Sequence, residues 1–198
     1  MIDNCDISGG NGGASGGVGT IIPRNTGGPH LQSLTLANSA FDNNQANQGG
    51  IILWNPNLNT DPGMLATVNI QNCSFTNNPS LGAVLFLATT AGSSVTLNFS
   101  DNTGSGNFGN LLDLAGYGVN SPWQITFQRN QLNGFSSGSP VIMLSSIDAT
   151  STVLIADNTF TYCYTLLGYS SATSSSTPQQ HNITLANNTM TGGGFNSL

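Results

Sequence analysis

Short stretches of this chain alternate apolar and polar residues with a period of two. Such alternation is typical of a β-strand with one buried face and one exposed face. The alternating apolar pairs are Leu34/Leu36, Val68/Ile70, Leu97/Phe99, Ile125/Phe127, Val153/Ile155 and Ile183/Leu185. Further apolar runs lie between these stretches, at 51–54, 83–87, 111–114, 141–144 and 166–167. The pattern therefore predicts a chain built from many short strands.

A six-residue pattern recurs along the chain and marks a structural repeat. It reads apolar, any residue, Asn or Asp, then Asn, Cys or Ser, any residue, and apolar again, with occasional departures. Seven copies start 34, 34, 29, 28, 28 and 30 residues apart, at Ile2, Leu36, Ile70, Phe99, Phe127, Ile155 and Leu185. Repetition at a nearly fixed period is the sequence signature of stacked repeat architectures.

One coil of a parallel β-helix accounts for each repeat, because stacked coils place equivalent residues in columns about 4.8 Å apart. We predict an all-β fold: a right-handed parallel β-helix (solenoid) of about six to seven coils of 28–34 residues, with 1–198 as a single domain. The third position of the pattern should adopt the left-handed backbone where one strand bends into the next. Its members are Asn4, Asn38, Asn72, Asp101, Arg129, Asp157 and Asn187.

The fourth position of the pattern predicts a ladder of asparagine side chains. Asn102, Asn130, Asn158 and Asn188 occupy this position in the last four repeats. Identical amides that are stacked in register can hydrogen-bond to the neighbours above and below. A buried amide without such partners would cost about 1–3 kcal/mol, so the ladder is expected to stabilise the stack.

Composition narrows the possible functions. Charged residues are 5% of the chain, with two Lys plus Arg and a net charge of −6. Two cationic side chains cannot neutralise a phosphate backbone, so we expect no nucleic-acid partner. No apolar run reaches the length of about 18 residues that a transmembrane helix needs, so no transmembrane segment is predicted. Hydrophobic residues still make up 37% of the chain, which argues against disorder.

Two motifs resemble those of a known family. Phe41-Asp-Asn-Asn44 is followed by Gly49-Gly-Ile-Ile52, and Phe75-Thr-Asn-Asn78 is followed by Gly82-Ala-Val84. These segments resemble the Phe-x-x-Asn and Gly-Gly-Ala-Ile repeats of chlamydial polymorphic outer-membrane proteins. More broadly, the chain is similar to extracellular right-handed β-helix repeat proteins. The resemblance implies a secreted or surface-exposed adhesive or structural rod.

The two ends of the chain favour self-association. The chain begins inside one copy of the pattern and stops just after another, with no polar capping segment visible. Solenoids normally cap their ends, because an open coil exposes core residues and unpaired strand edges. We therefore expect a segment of a longer protein or subunits that stack end to end, and stacking that does not close produces a filament.

Few residues suggest catalysis or metal binding. Cys5 and Cys73 share a column two coils apart, too far for a disulfide, so they and Cys163 are predicted to be buried, unpaired thiols. No Cys or His pair has metal-ligand spacing, so we expect neither a metal nor a cofactor. The catalytic candidates are Asp101, Arg129 and Asp157, which share one column in three successive coils. Pectin methylesterases, which are also β-helices, use two Asp and one Arg, although a structural charge ladder would look the same.

Four sequons are candidates for N-glycosylation. They lie at Asn72, Asn98, Asn182 and Asn187. Their number is no greater than the abundance of Asn, Ser and Thr predicts, but Asn98 and Asn182 should point outward from strands, where a glycan could be attached.

These observations favour a non-enzymatic structural or adhesive β-helix rod, extracellular or on the cell surface. End-to-end association and attached glycans are part of this hypothesis. The alternative is a polysaccharide-active β-helix enzyme, similar to pectin esterases or lyases, or a carbohydrate-binding module.

Overall fold

The computed structural model describes residues 1–13, 17–21, 31–47, 51–54, 65–89, 92–106, 108–116, 122–135, 140–145, 151–163, 165–170 and 181–192. Across these ranges the regular secondary structure is β-strand. In chain order the strands are β1 (Ile2–Asp3), β2 (Asp6–Ser8), β3 (Gly19–Ile21), β4 (Leu31–Ala37), β5 (Ala40–Asp42), β6 (Ile52–Trp54), β7 (Leu65–Gln71), β8 (Ser74–Thr76), β9 (Pro79–Thr89), β10 (Ser94–Ser100), β11 (Thr103–Ser105), β12 (Phe108–Gly116), β13 (Trp123–Gln128), β14 (Gln131–Asn133), β15 (Pro140–Ser145), β16 (Thr152–Ala156), β17 (Thr159–Thr161), β18 (Thr165–Ser170), β19 (Asn182–Ala186) and β20 (Thr189–Thr191).

The strands form three parallel sheets that the chain visits in rotation. Sheet 1 has the order β1-β4-β7-β10-β13-β16-β19, and sheet 2 has the order β2-β5-β8-β11-β14-β17-β20. Sheet 3 has the order β18-β15-β12-β9-β6-β3. Each strand pairs with the equivalent strand of the next coil, so the architecture is a parallel β-solenoid. The all-β solenoid predicted from the repeat is confirmed.

The strand register confirms the predicted columns. Leu36 pairs with Ile70, which pairs with Phe99, which pairs with Phe127. Residues 28 to 34 positions apart in the chain are therefore direct neighbours across the sheet. Apolar residues at these inward positions fill one continuous core.

Two left-handed corners in each coil connect the sheets. Between sheets 1 and 2, all seven third-position residues have positive φ, from 49° at Asn38 to 59° at Asp101. This confirms the predicted bend, and Arg129 adopts it as well with φ of 54°. After the strand in sheet 2 comes a second column with positive φ, formed by Gly9, Asn43, Asn77, Gly106, Gly134, Tyr162 and Gly192. Gly, Asn and Asp dominate both columns because they tolerate this conformation best.

Five phenylalanine rings stack along the axis of the core. Successive centroids of Phe41, Phe75, Phe99, Phe127 and Phe160 are 5.4, 5.8, 4.9 and 6.3 Å apart. Phe41, Phe75 and Phe160 come from sheet 2, whereas Phe99 and Phe127 come from sheet 1. Gly104 occupies the sheet 2 position next to Phe75, where an added Cβ would lie 2.9 Å from Leu132 Cδ2. The rings thus form one stack although they come from two sheets.

The asparagine ladder runs along the first corner. The Nδ2 groups of Asn102, Asn130 and Asn158 each donate to the next Oδ1, at 3.1, 2.9 and 2.9 Å, and Asn188 is the last acceptor. The same Oδ1 atoms accept the backbone N–H of the preceding ladder residue at 2.9–3.0 Å. Each Nδ2 also donates to a backbone carbonyl of the preceding coil, for example from Asn130 to Phe99 at 3.1 Å. The buried amides therefore bind three successive coils together.

A second, shorter ladder lies at the other corner and was not predicted. Asn44 Nδ2 donates to Asn78 Oδ1 at 3.1 Å and to the Ile7 carbonyl at 3.1 Å. Both side chains are fully buried. These residues are the final Asn of the two Phe-x-x-Asn motifs, so the motif has a structural basis in this chain. Its 34-residue spacing could have revealed the ladder.

Candidate functional site

The three catalytic candidates lie at consecutive left-handed corners, but they do not act as one cluster. Arg129 binds Asp101 through two hydrogen bonds, Nε to Oδ1 and Nη2 to Oδ2, both 2.7 Å. The Arg129 corner lies between the corners of Asp101 and Asp157, as their shared column predicts. Within the described residues the salt bridge involves Asp101, while Asp157 Oδ1 accepts a hydrogen bond from Asn187 Nδ2 at 3.2 Å. Because two nitrogen atoms of the guanidinium bond to Asp101, the Arg129 side chain points toward Asp101 and away from Asp157.

The electrostatics of this pair favour the charged forms of both side chains. The hydrogen bonds from Arg129 hold the pKa of the Asp101 carboxyl below its ordinary value. The same bonds raise the pKa of Arg129, and the charges of Asp101 and Asp157 add to this effect. A general acid or base works best with a pKa near the operating pH. The shift of Asp101 is in the opposite direction, which favours a structural role for the pair.

The outer face of sheet 2 is the most regular polar surface in the described structure. In β8, β11, β14, β17 and β20 the central residue points inward and the two flanking residues point outward. All ten outward residues carry a hydroxyl or an amide, and none is charged. We call them the hydroxyl–amide face: Ser74, Thr76, Thr103, Ser105, Gln131, Asn133, Thr159, Thr161, Thr189 and Thr191.

A shallow groove of about 280 Å³ crosses this face. It extends over four strands, from Thr76 on β8 to Thr161 on β17, and Gln131 and Asn133 lie in its middle. A second groove of about 370 Å³ follows the neighbouring corner and includes Asn72, Cys73 and Asp101. Thr103 lines both grooves, so the two depressions adjoin each other.

Tyr162 borders the hydroxyl–amide face in an unusual backbone conformation. It follows Thr161 directly, has φ of 52° and is 60% exposed. Its ring lies over Gly192, where an added Cβ would come within 2.5 Å of Tyr162 Cε1. Aromatic residues rarely adopt left-handed backbone, and such strain is concentrated at functional sites.

The outer face of sheet 3 has a different character. Phe86, Ala88 and Ala115 form a small buried apolar cluster there, separate from the main core. Asp113 pairs in register with Phe86, and its Oδ1 accepts a hydrogen bond from Ser145 Oγ at 2.8 Å. Burial raises the pKa of the Asp113 carboxyl. The sequence analysis did not single out this residue, because an isolated Asp in an apolar run has no motif around it.

The sequon asparagines differ in their freedom to carry a glycan. Asn182 is exposed on β19. Asn98 is half-buried and donates from Nδ2 to Asn69 Oδ1 at 2.9 Å. Asn72 and Asn187 are exposed at corners and donate to Asn38 and Asp157. Asn182 is therefore the most accessible acceptor among the four.

The three cysteines are free thiols, as predicted. Cys73 and Cys163 are buried, and burial raises the pKa of each thiol. Cys5 was expected to be buried but is exposed, because it lies between β1 and β2, the outermost strands of sheets 1 and 2. Among the residues described, no group of three or more His, Cys, Asp or Glu side chains is arranged to hold a metal ion.

The fold and these surfaces define the class of the protein as a parallel β-solenoid. Over the described ranges, no helix has the length and apolar character needed to cross a membrane. Comparisons of the chain with protein-family models, with curated proteins and with solved structures find no match. Function must therefore be argued from the surfaces of the solenoid itself.

The sequence analysis missed three surface features: the hydroxyl–amide face, Tyr162 and Asp113. The first had a detectable signal, because its residues flank the last apolar position of the repeated pattern. Alignment of the repeats one below another would have shown a Ser, Thr, Asn or Gln on both sides of this position from Phe75 onward.

Proposed function

We propose that this chain is a non-enzymatic structural or adhesive rod that acts outside the cell or at its surface. The observation that carries the proposal is the unbroken axial bonding. One ring stack runs from Phe41 to Phe160, and the asparagine ladder runs from Asn102 to Asn188. Interactions that repeat along an axis stiffen the stack in that direction, which suits a molecule that bears load or presents a surface at a distance.

The location and the glycans belong to the same proposal. The resemblance to chlamydial outer-membrane repeats supports a place at the cell surface, and the nearly uncharged outer faces are compatible with it. An N-linked glycan at the exposed Asn182 would project from the side of sheet 1 without displacing core residues.

End-to-end association is the assembly that we propose for the rod. Leu185 on β19 is 50% exposed, whereas its counterparts Phe127 and Ile155 are fully buried. At the other end, Ile2 and Ile7 are half-buried. If the β19 end of one copy met the β1 end of the next, Leu185 would face Ile2 in the register that Ile2 shares with Leu36. Such a head-to-tail contact repeats indefinitely and produces a filament.

Electron microscopy of the purified chain at increasing concentration tests this assembly. We expect fibres one solenoid wide for the wild type and short particles for Leu185→Asp, because the substitution places a charge in the end contact. Leu65→Asp is the matched control, since Leu65 is also 49% exposed but lies on β7 inside the stack, and it should leave the fibres intact. Dispersed wild-type monomers at high concentration would refute the filament.

The alternative of a polysaccharide-active enzyme has less support. Such an enzyme requires two carboxylates and an arginine that is free to contact the substrate, but Arg129 forms a salt bridge with Asp101. Release of sugar or methanol from pectin-like polymers, lost in Arg129→Ala, would favour the enzyme over the rod.

A further inference from the structure

We propose that the hydroxyl–amide face binds a linear, neutral polysaccharide, with Tyr162 as a stacking platform at its edge. This inference rests on the proposed adhesive function and specifies its ligand. It combines three independent observations: the chemistry of the face, the shape of its groove, and the strained aromatic residue beside it.

The chemistry of the face matches sugar hydroxyl groups. Ser and Thr hydroxyls both donate and accept, and Asn and Gln amides offer both kinds of atom. The hydroxyls of a sugar chain need the same mixture of donors and acceptors. Strands that repeat every 4.8 Å or so present these groups at a regular interval, which suits a ligand that is itself a repeating polymer.

Charge selects a neutral ligand over an anionic one. From β8 to β20 the face contains no charged side chain, while Asp6 and Asp42 are the acidic residues on the first two strands of the same sheet. An anionic polymer would find no cation on these strands, since the nearby Arg129 is paired with Asp101, and it would be repelled by the net charge of −6. Uronates, phosphates and nucleic acids are thereby disfavoured.

The shape of the groove selects an extended polymer over a small molecule. Sites for small ligands are usually clefts of roughly 300–1,000 Å³ that surround most of the ligand. This groove of about 280 Å³ is open to solvent and crosses four strands, a span of about 14 Å at the normal strand spacing. A shallow, elongated depression of this kind fits a segment of a chain that continues beyond both ends.

Tyr162 supplies an apolar contact surface, of which the groove itself offers little. Tyr162 follows Thr161 in the chain and is 60% exposed. Its backbone is left-handed, a conformation that Asn or Gly would adopt at lower cost. The flat, C–H-lined side of a sugar ring stacks on an aromatic ring. A strained, exposed aromatic residue that follows the groove residue Thr161 in the chain is explained by such a contact.

Affinity electrophoresis with soluble polymers tests the proposal. The probes are hydroxyethylcellulose, glucomannan and arabinoxylan, which are neutral β-1,4-linked chains, with carboxymethylcellulose as the anionic counterpart of the first. We expect at least one neutral polymer to retard the protein and carboxymethylcellulose to retard it less than hydroxyethylcellulose. The absence of retardation by all three neutral polymers would overturn the proposal, as would stronger retardation by carboxymethylcellulose.

Variants locate the site. Gln131→Ala should weaken binding about fivefold, the effect of losing one hydrogen bond to the ligand. Gln124→Ala is the matched control: it is another exposed Gln of the same coil, but it lies on sheet 1, and it should change binding less than twofold. Tyr162→Asn should weaken binding while the fold becomes more stable. Equal losses for Gln131→Ala and Gln124→Ala would overturn the assignment to sheet 2.

This test is separable from that of the rod. Polymer binding without fibres would leave the glycan site standing and reject end-to-end assembly. Fibres without polymer binding would leave the rod standing and reject the site.

Discussion

At the scale of single residues, backbone conformation explains most of the polar sequence pattern. Ten non-glycine residues in the described structure have positive φ, and eight of them are Asn or Asp. Arg129 and Tyr162 are the other two. Arg129 makes two hydrogen bonds to Asp101, the corner residue of the preceding coil. Tyr162 therefore stands out as the corner residue whose identity the fold explains least.

Replacement of Tyr162 by Asn should stabilise the protein. A bulky L-residue in left-handed conformation costs roughly 1–2 kcal/mol, and Asn relieves part of that cost. We expect the free energy of unfolding, measured by urea denaturation, to rise by about 1 kcal/mol. The reverse change Asn77→Tyr, in the same column, should lower it by a similar amount. A loss of stability in Tyr162→Asn would show that ring contacts outweigh the backbone strain.

Two carboxyl groups should give opposite pH dependences of stability. The pKa of Asp113 is raised in the folded state by burial, so its contribution is fully present below the ordinary carboxyl pKa of about 3.9 and is lost as pH rises through the folded pKa. The pKa of Asp101 is lowered by Arg129, so its contribution is present above about 3.9 and is lost as pH falls through the folded pKa.

Urea denaturation between pH 2 and pH 7 measures both effects. Relative to the wild type, Asp113→Asn should become progressively more stable as the pH rises above about 4, because Asn keeps a hydrogen-bond acceptor and has no charge to bury. Asp101→Asn should become progressively less stable as the pH rises toward about 4, because the ion pair is missing. Parallel curves for either variant and the wild type would contradict the assigned pKa direction.

At the scale of elements, the ladders explain how very short strands remain in register. β11, β14, β17 and β20 have three residues each, too few to hold a sheet by their own hydrogen bonds. The buried amides Asn102, Asn130 and Asn158 lie immediately before β11, β14 and β17 and bond to the coils on both sides. Side-chain hydrogen bonds at the corner thus supplement the backbone hydrogen bonds of sheet 2, whose strands are only three residues long.

Removal of a central ladder amide should be far more costly than removal of the last one. Asn130→Ala leaves the backbone N–H and one Nδ2 hydrogen of Asn102 and the Phe99 carbonyl without their partners in a buried site. At 1–3 kcal/mol for each unsatisfied group, we expect a loss of about 3 kcal/mol or more. Asn188→Ala removes the partners of the equivalent groups of Asn158 and Ile155, but it should cost only about 1 kcal/mol, because Asn188 is half-buried and water can replace its amide. Thermal and urea unfolding compare the two variants, and similar losses would argue against the ladder as a buried network.

The repeated pattern predicted the elements well for a specific reason. Alternating apolar residues at Leu97 and Phe99, or at Ile125 and Phe127, can bury one face only in a strand. The Asn and Asp positions between two apolar ones predicted the corners, since few other residues accept positive φ. The second ladder at Asn44 and Asn78 was missed because these residues lie three positions beyond the end of the six-residue pattern, after Phe41 and Phe75.

At the scale of the whole molecule, the stack creates surfaces that single coils do not have. Thr103 and Ser105 are two exposed residues on a three-residue strand, but β8, β14, β17 and β20 extend them into a continuous polar face. The charged residues are few, and Arg129, one of the two cations, is paired with Asp101. Interactions of this molecule with others should therefore depend on hydrogen bonding and shape more than on long-range attraction.

The sequence by itself determined the β-solenoid. The period-two pattern within each repeat predicts short strands, and the nearly constant spacing between repeats predicts that these strands stack in shared columns. The sequence also determined the left-handed corners and the candidate ladder. Only the tertiary structure decided which neighbours each side chain meets. The Arg129 side chain bonds to one carboxylate, Cys5 lies at the exposed edge, Asp113 is half-buried, and threonines of sheet 2 line a groove. These outcomes depend on side-chain rotamers and on packing between residues about thirty positions apart, which no local pattern records.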